Sequence, residues 1–418
     1  MSNGYDTKVV DSLRDISDAE LDQVTAGSNL FLDRRWLRIF EAVDFSTLVR
    51  GEAPLRHVTV RSGDTLVAVC PFLTSRSPTI ITQYSLEKFF FTSWKANLAR
   101  MNPESASWSR WLARAAEGYR RMARLLRTGV EGWVLAGGPL SFRGGIACRA
   151  TDPAETRRIH QAVLKALQDV SRAERLPLCF YCVEAHDPLR DALREGGFEE
   201  LFFTFDNRID TELRDLDEYF DRFPGKPRRH FKYEIRRVES QGYRFQLVSD
   251  YASIAPQIEK FYTATYSKYG EGHPFLPADF WRQLQQSLGP RSEAVVAFRG
   301  EEPTGFSMLL HKAEEMFVYR IGRPPREDGQ EPPVYFSLLF YEPIKRAVEL
   351  KVKRLWLSGG AWEGKRRRGA RGYPLYNCFW FPNARSRVVL GSFLSLYSRM
   401  SFKQVSRVVA RPEQESAS

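Results

Sequence analysis

Apolar and polar residues alternate through HVTVRSGDTLVAVCPFL (57–73) with the two-residue rhythm of strands that bury one face. Ser62-Gly63-Asp64 at its centre supplies a tight turn, so the stretch predicts a β-hairpin. Ahead of it, SDAELDQVTAG and NLFLDRRWLRIFEAVD carry the three-to-four-residue spacing of amphipathic helices. Beyond it the rhythm predicts a long Arg-rich helical region around 105–127, a strand near GWVLAG, a helix over 154–174, a strand LPLCFYCVEA, a helix DPLRDALREGG and a strand EELFFTFDNRI. A link, DTELRDLDEYFDRFPGKPRRHFKYEIRRVESQG, leads to a strand YRFQLVSD, helices at 251–268 and 277–288, and a second hairpin, EAVVAFRGEEPTGFSMLLH. A strand EMFVYRIG, a helix VYFSLLFYEPIKRAVELK and a strand RLWLSGG follow. Both halves pair a hairpin with later helix–strand units, which predicts a tandem duplication of one α+β fold. Each half is expected to be a mostly antiparallel mixed sheet flanked by helices, over 1–208 and 209–404, and the polar residues 405–418 are expected to be a disordered tail.

Composition narrows the chemistry. At 418 residues, 43% hydrophobic and 27% charged, the chain is long enough for two cores of roughly 200 residues each. No run approaches the ~18–20 apolar residues of a membrane span and the N-terminus has no apolar signal core, so a cytoplasmic protein is expected. Five dispersed cysteines predict reduced thiols; Cys179 and Cys182 have metal-like spacing but sit in a run that reads as a buried strand. Six histidines without an HxxxH or HxH cluster, and the lack of a Gly-x-Ser-x-Gly elbow or a Walker sequence, argue against resident metals, serine hydrolysis and nucleotide cleavage. The net charge of +11 points instead to an anionic partner: RNA, an acidic carrier protein or a phosphorylated small molecule, with no motif for DNA readout.

Two clusters concentrate that charge. In GGAWEGKRRRGARGYP (359–374), glycines let the backbone approach a ligand closely, and Lys365, Arg366, Arg367, Arg368 and Arg371 would neutralise a phosphate. The bland alternative is a solvated basic loop. Around PGKPRRHFKYEIRR, a helix starting near Pro227 puts Arg229, Lys232 and Arg236 on one face, a stripe that would meet RNA or an acidic helix, or else simply face water.

The element order and four strings resemble the GNAT acyltransferase superfamily in its tandem, Fem-like branch. The strings are NLFLDRRWLRIFEAVDF with PLRHVTVRSGDTLVAVCPFL, PRRHFKYEIRRVESQG, FVYRIGRP with VYFSLLFYEPIKRAVE, and GGAWEGKRRRGARGYP. The resemblance implies two tandem GNAT-like domains. It also implies transfer of an acyl group from a donor threaded between two splayed central strands, with a backbone amide at the oxyanion. On the matching positions it implies His311, Glu363 and Tyr319 as candidates for proton transfer and Tyr376, beside Tyr373, as a phenolic acid. Arg320 and Arg323, with Lys365, Arg367, Arg368 and Arg371, are then expected to hold the donor's phosphate, and Arg229, Lys232 and Arg236 a partner.

Where many such proteins carry a pyrophosphate-binding turn, this chain has Arg326-Glu-Asp-Gly329-Gln-Glu331, an acid where a small residue belongs. The expected donor is therefore acyl-phosphopantetheine on an acidic carrier protein rather than free acyl-CoA, with a small-molecule amine as acceptor, in specialised metabolism. An aminoacyl-tRNA-dependent Fem-type transferase is the alternative, although Gly270, Gly272, Pro274 and Pro277 interrupt the place where a long helical arm for tRNA would stand. A non-catalytic binding module is the third.

Overall fold

A computed structural model of the protein describes residues 4–76, 80–81, 84–89, 91, 106–267, 272–324 and 334–398, with backbone alone for 106–113. The irregular phosphate turn at 326–331 and the tail at 405–418 lie outside the described residues. The predicted hairpin forms as β2 (Leu55–Ser62) and β3 (Thr65–Ser75), with β1 (Asp6–Val10) on the outer edge of β2. On the other side of β3 lies β4 (Trp133–Ala136), while the two-residue β5 (Ala147–Cys148) pairs further along β3, and β6 (Leu178–Glu184) runs parallel to β4. In the second half β8 (Tyr243–Val248), β9 (Ser292–Arg299), β10 (Glu302–Lys312) and β11 (Glu315–Gly322) make an antiparallel meander, and β12 (Arg354–Trp356) runs parallel to β11. Each half is thus a meander that ends in one parallel pair.

The remaining two strands join the halves. β7 (Glu199–Asp210) follows β6 in the chain but pairs with β12, whereas β13 (Arg371–Trp380), from the end of the second half, lies between β6 and β7. The continuous order is β1-β2-β3-β4-β6-β13-β7-β12-β11-β10-β9-β8, so each half hands its last strand to the other. A boundary at 208/209 falls inside β7, and the sheet does not divide there. The sequence reading contained no β13, because RGYPLYNCFW holds Gly372 and Pro374, residues that ordinarily argue against a strand. Gly372 has a local reason: a Cβ there would stand 3.1 Å from the Phe205 ring on β7.

Helices cover both faces. α1 (Asp18–Thr25) opens with a reciprocal Ser17/Glu20 capping box, and Asp33 caps α2 (Arg34–Ala42). α3 (Ala106–Leu125) and α4 (Pro153–Glu174) follow; α4 buries Ile159, Val163, Leu164 and Leu167 against the face of the sheet that carries Val58 and Val60. In the second half come α5 (Gly225–Ser240), α6 (Ala255–Tyr266), α7 (Ala278–Leu288), α8 (Glu342–Glu349) and α9 (Trp362–Arg367). The largest core is shared: Phe31 and Trp36 of the first half pack edge-on against Phe317 and Tyr319 of β11 respectively. Beside it the buried Asp33 carboxylate joins Arg291 at 3.0 Å and Lys312 at 2.8 Å. Among the described residues, no helix is long and apolar enough to cross a membrane.

Candidate active site

The two parallel pairs part after three residues each. β11 and β12 run together from Glu315↔Arg354 to Phe317↔Trp356; β11 then continues to Gly322 along β10, while the chain after β12 turns through left-handed backbone at Ser358 (φ 60°), Gly360 (φ 70°) and Ala361 (φ 42°). β4 and β6 likewise run together only from Val134↔Leu178 to Ala136↔Phe180. There the gap is filled by the protein's own chain. The Gly144 amide donates to the Cys182 carbonyl at 3.0 Å, and a Cβ on Gly144 would lie 1.8 Å from the Tyr181 carbonyl oxygen. Residues 137–145 therefore plug the first fork, and only glycine passes so close to β6.

The plug reaches across to the second fork. Tyr319, at the position β11 bulges out of register with β10, donates its hydroxyl to the Leu140 carbonyl, and the Arg320 guanidinium lies near the Phe142 ring. Arg143 goes furthest. Its guanidinium lies 3.7 Å from the centre of the Trp356 ring and 5.0 Å from that of Phe317, over the last register pair before β11 and β12 separate. Three carboxylates converge on it: Glu184 at 2.8 Å, Glu315 at 3.3 Å and Asp206 at 3.5 Å. Asp206 projects from β7, the strand beside β12, and is buried with its Oδ1 lacking any hydrogen-bond partner. Burial pushes its carboxyl up to about 6 from an ordinary 3.8, against the pull of Arg143 and Lys365. Glu184, 41% exposed, is the member of this cluster that faces water.

Lys365 closes the other side of the fork. From α9 it turns inward and donates to the carbonyls of Leu357 (2.6 Å), Ser358 (3.0 Å) and Gly359 (2.7 Å). Burial draws its ammonium down to about 7, with Asp206 opposing that shift. Three carbonyls can be answered only by three N–H donors, which is the protonated form.

The sequence-derived candidates are thus placed in several different settings. GGAWEGKRRRGARGYP is not a loop: it forms α9 and the start of β13, and two of its cations point inward. Lys365 holds carbonyls, and Arg368 is buried, bound to Glu234 at 2.7 Å and lying 3.5 Å from the centre of the Phe336 ring. Arg367 and Arg371 do face water, Arg367 in contact with the exposed Glu363. Arg320 is buried and donates to the Tyr319 carbonyl, and Arg323 lies beside Tyr335. His311 sits at the far end of β10, donating from Nε2 to the Pro290 carbonyl at 2.7 Å, and Tyr376 lies on β13 beneath Arg190, so neither reaches the fork. Of these candidates, Tyr319, Arg320 and Lys365 stand at it. On α5, Arg229 and Arg236 are exposed, while Lys232 pairs with Asp217 at 2.6 Å. Arg143, Asp206 and Glu184 were missed; the one available signal was the pair of glycine doublets bracketing PLSFR in GGPLSFRGG. Among the described residues, no group of three or more His, Cys, Asp or Glu side chains is arranged to hold a metal ion.

A mixed sheet whose parallel pair opens into a fork, repeated and flanked by helices, is a tandem GNAT-like, Fem-like arrangement. The chain belongs to the FemAB-like family, described as peptidoglycan biosynthesis/recognition, whose model matches residues 138–412. Among solved structures, that of FemX is similar over 88% of this chain and 96% of its own, with a TM-score of 0.52 at 9% identity. A tandem GNAT protein from the clavulanic acid biosynthesis pathway is similar over 90% and 99% of the two chains, with a TM-score of 0.43 at 10% identity. The C-terminal domain of a putative lysylphosphatidylglycerol synthetase from Agrobacterium fabrum is similar over 62% and 80%, with a TM-score of 0.46 at 12% identity. No curated protein matches the sequence.

Proposed function

We propose that the protein is an acyltransferase that forms an amide bond at the fork between β11 and β12, with Asp206 as the proton acceptor. The observation that carries this reading is the buried, unpartnered Asp206 oxygen beside the point where the strands part. An amine nitrogen attacks the donor's acyl carbon, its proton passes to the Asp206 carboxylate, and the tetrahedral intermediate collapses to the amide as the expelled thiolate or alkoxide takes that proton back and leaves as thiol or alcohol. The donor is an acyl-phosphopantetheine held by an acidic carrier protein, and the acceptor a small-molecule amine. The exposed Arg367 and Arg371 supply the attraction. A second reading, an aminoacyl-tRNA donor, is favoured by the family match and by the α5 face, where exposed Arg229, Arg236 and Tyr233 combine cations with an aromatic ring suited to a nucleic-acid strand.

The test has two arms. Amide formation is followed by mass spectrometry with the same acyl group offered on carrier protein, on free CoA and on tRNA; transfer from tRNA alone would replace the carrier reading with the second. In the other arm, Asp206→Asn lowers kcat by roughly 10²–10⁴. Because the base must be ionised, wild-type kcat/KM rises with pH through about 6 and the variant loses that limb. An unchanged rate and profile in the variant would remove Asp206 from the mechanism.

A further inference from the structure

Six large apolar side chains stand exposed among the described residues, and four of them share one place: Met122 (40%), Leu125 (82%), Leu126 (38%) and Val388 (66%). The end of α3 meets the segment 384–391 there, where the Ser386 hydroxyl donates to the Thr128 carbonyl at 2.7 Å and Tyr119 packs against Phe393. Cations ring the junction. Arg121, Arg124 and Arg127 come from one side and Arg385 and Arg387 from the other, all exposed. Acids answer some of them: Glu117 meets Arg121 at 3.0 Å, Glu87 meets Arg124 at 2.5 Å, Glu199 feels Arg387, and Glu131 is exposed nearby. Five arginines against four acids still leave the rim positive.

An apolar summit with a cationic rim is costly to leave in water and is matched by few partners. Leu125 projects rather than lining a groove, which does not suit a peptide strand, whereas a bilayer interface takes the apolar tips among its headgroups and the guanidinium groups on its phosphates. We propose that the end of α3 and residues 385–388 form a docking surface for an anionic phospholipid bilayer. The protein lies on that surface with Leu125 and Val388 entering the headgroup layer. This inference is independent of the chemistry at the fork.

The full chain is sedimented with vesicles of phosphatidylcholine alone or with about 30% phosphatidylglycerol. Binding is expected only to the anionic vesicles and is expected to weaken with added salt. Leu125→Glu with Val388→Glu reduces the bound fraction at least about tenfold by placing charge among the headgroups. Arg127→Gln with Arg385→Gln reduces it about fivefold per charge, and thermal melting by circular dichroism is unchanged in both variants. No binding by the wild type, equal binding to both vesicle types, or wild-type binding by the glutamate variant overturns the proposal. So does a dimer in sedimentation velocity that the glutamate variant splits, because the patch would then belong to a second copy of the chain.

Discussion

Lys365 and Arg368 stand in GKRRRG beside Arg366 and Arg367, and nothing in their identity distinguishes them from Arg367, which faces water. What separates them is a three-residue step at the end of one short helix, which turns both inward, Lys365 onto the carbonyls after β12 and Arg368 onto Glu234 and Phe231 of α5. Arg368 then forms a buried pair with Glu234, whose other oxygen accepts the Tyr341 hydroxyl. Such a pair contributes little relative to an apolar replacement, but removing one member strands the other. Arg368→Met should therefore lower unfolding free energy by about 3–5 kcal/mol, with Glu234→Gln in the same background recovering part of it; chemical denaturation reads both. Arg367→Met, at an exposed pair, should shift it by less than about 1 kcal/mol. Asp206 carries the opposite signature. Its folded pKa of about 6 lies above the ordinary 3.8, so its contribution to stability is fully present below that lower value and is lost as pH rises through 6. Wild-type stability should fall over that window for this group, and Asp206→Asn should lack that component of the slope.

At the scale of elements, the forks explain what the sequence made legible and what it hid. Hairpins and central strands were readable as short runs rich in β-branched and aromatic residues, as in EMFVYRIG, which is buried on both faces, Phe317 and Tyr319 in the shared core and Met316 and Val318 in that of the second half. Arg143 was not readable: it lies in an irregular segment, one cation among 62, and acquires meaning only because the plug carries it 172 positions along the chain to Glu315. β13 was hidden for the converse reason, since Gly372 and Pro374 give a strand the composition of a turn. The plug itself is testable. Gly144→Ala would force a methyl group against the Tyr181 carbonyl, so the segment must move and take Arg143 with it. A loss of roughly 1–3 kcal/mol is expected, together with reduced kcat/KM. Full stability and full activity would show that the close approach is not required.

Across the whole molecule, the exchange of β7 and β13 leaves neither half with a complete sheet of its own. The shared aromatic core and the Asp33 ion pairs add to the same coupling. Calorimetry should therefore give a single unfolding transition with equal calorimetric and van't Hoff enthalpies, despite a length at which two separable domains would be ordinary; two resolved transitions would contradict the coupling. The same exchange sets a schedule during synthesis. The place between β6 and β7 stays empty until β13 has left the ribosome, about 170 residues after the end of β7, a wait of roughly 10–30 s at ordinary translation speeds. For that interval the nascent chain presents two unpaired strand edges, including the apolar run Leu178–Val183, to everything around it. A chaperone that shields strand edges, or a slow stretch of codons placed after rather than before residue 380, would decide how much of the chain reaches the folded state.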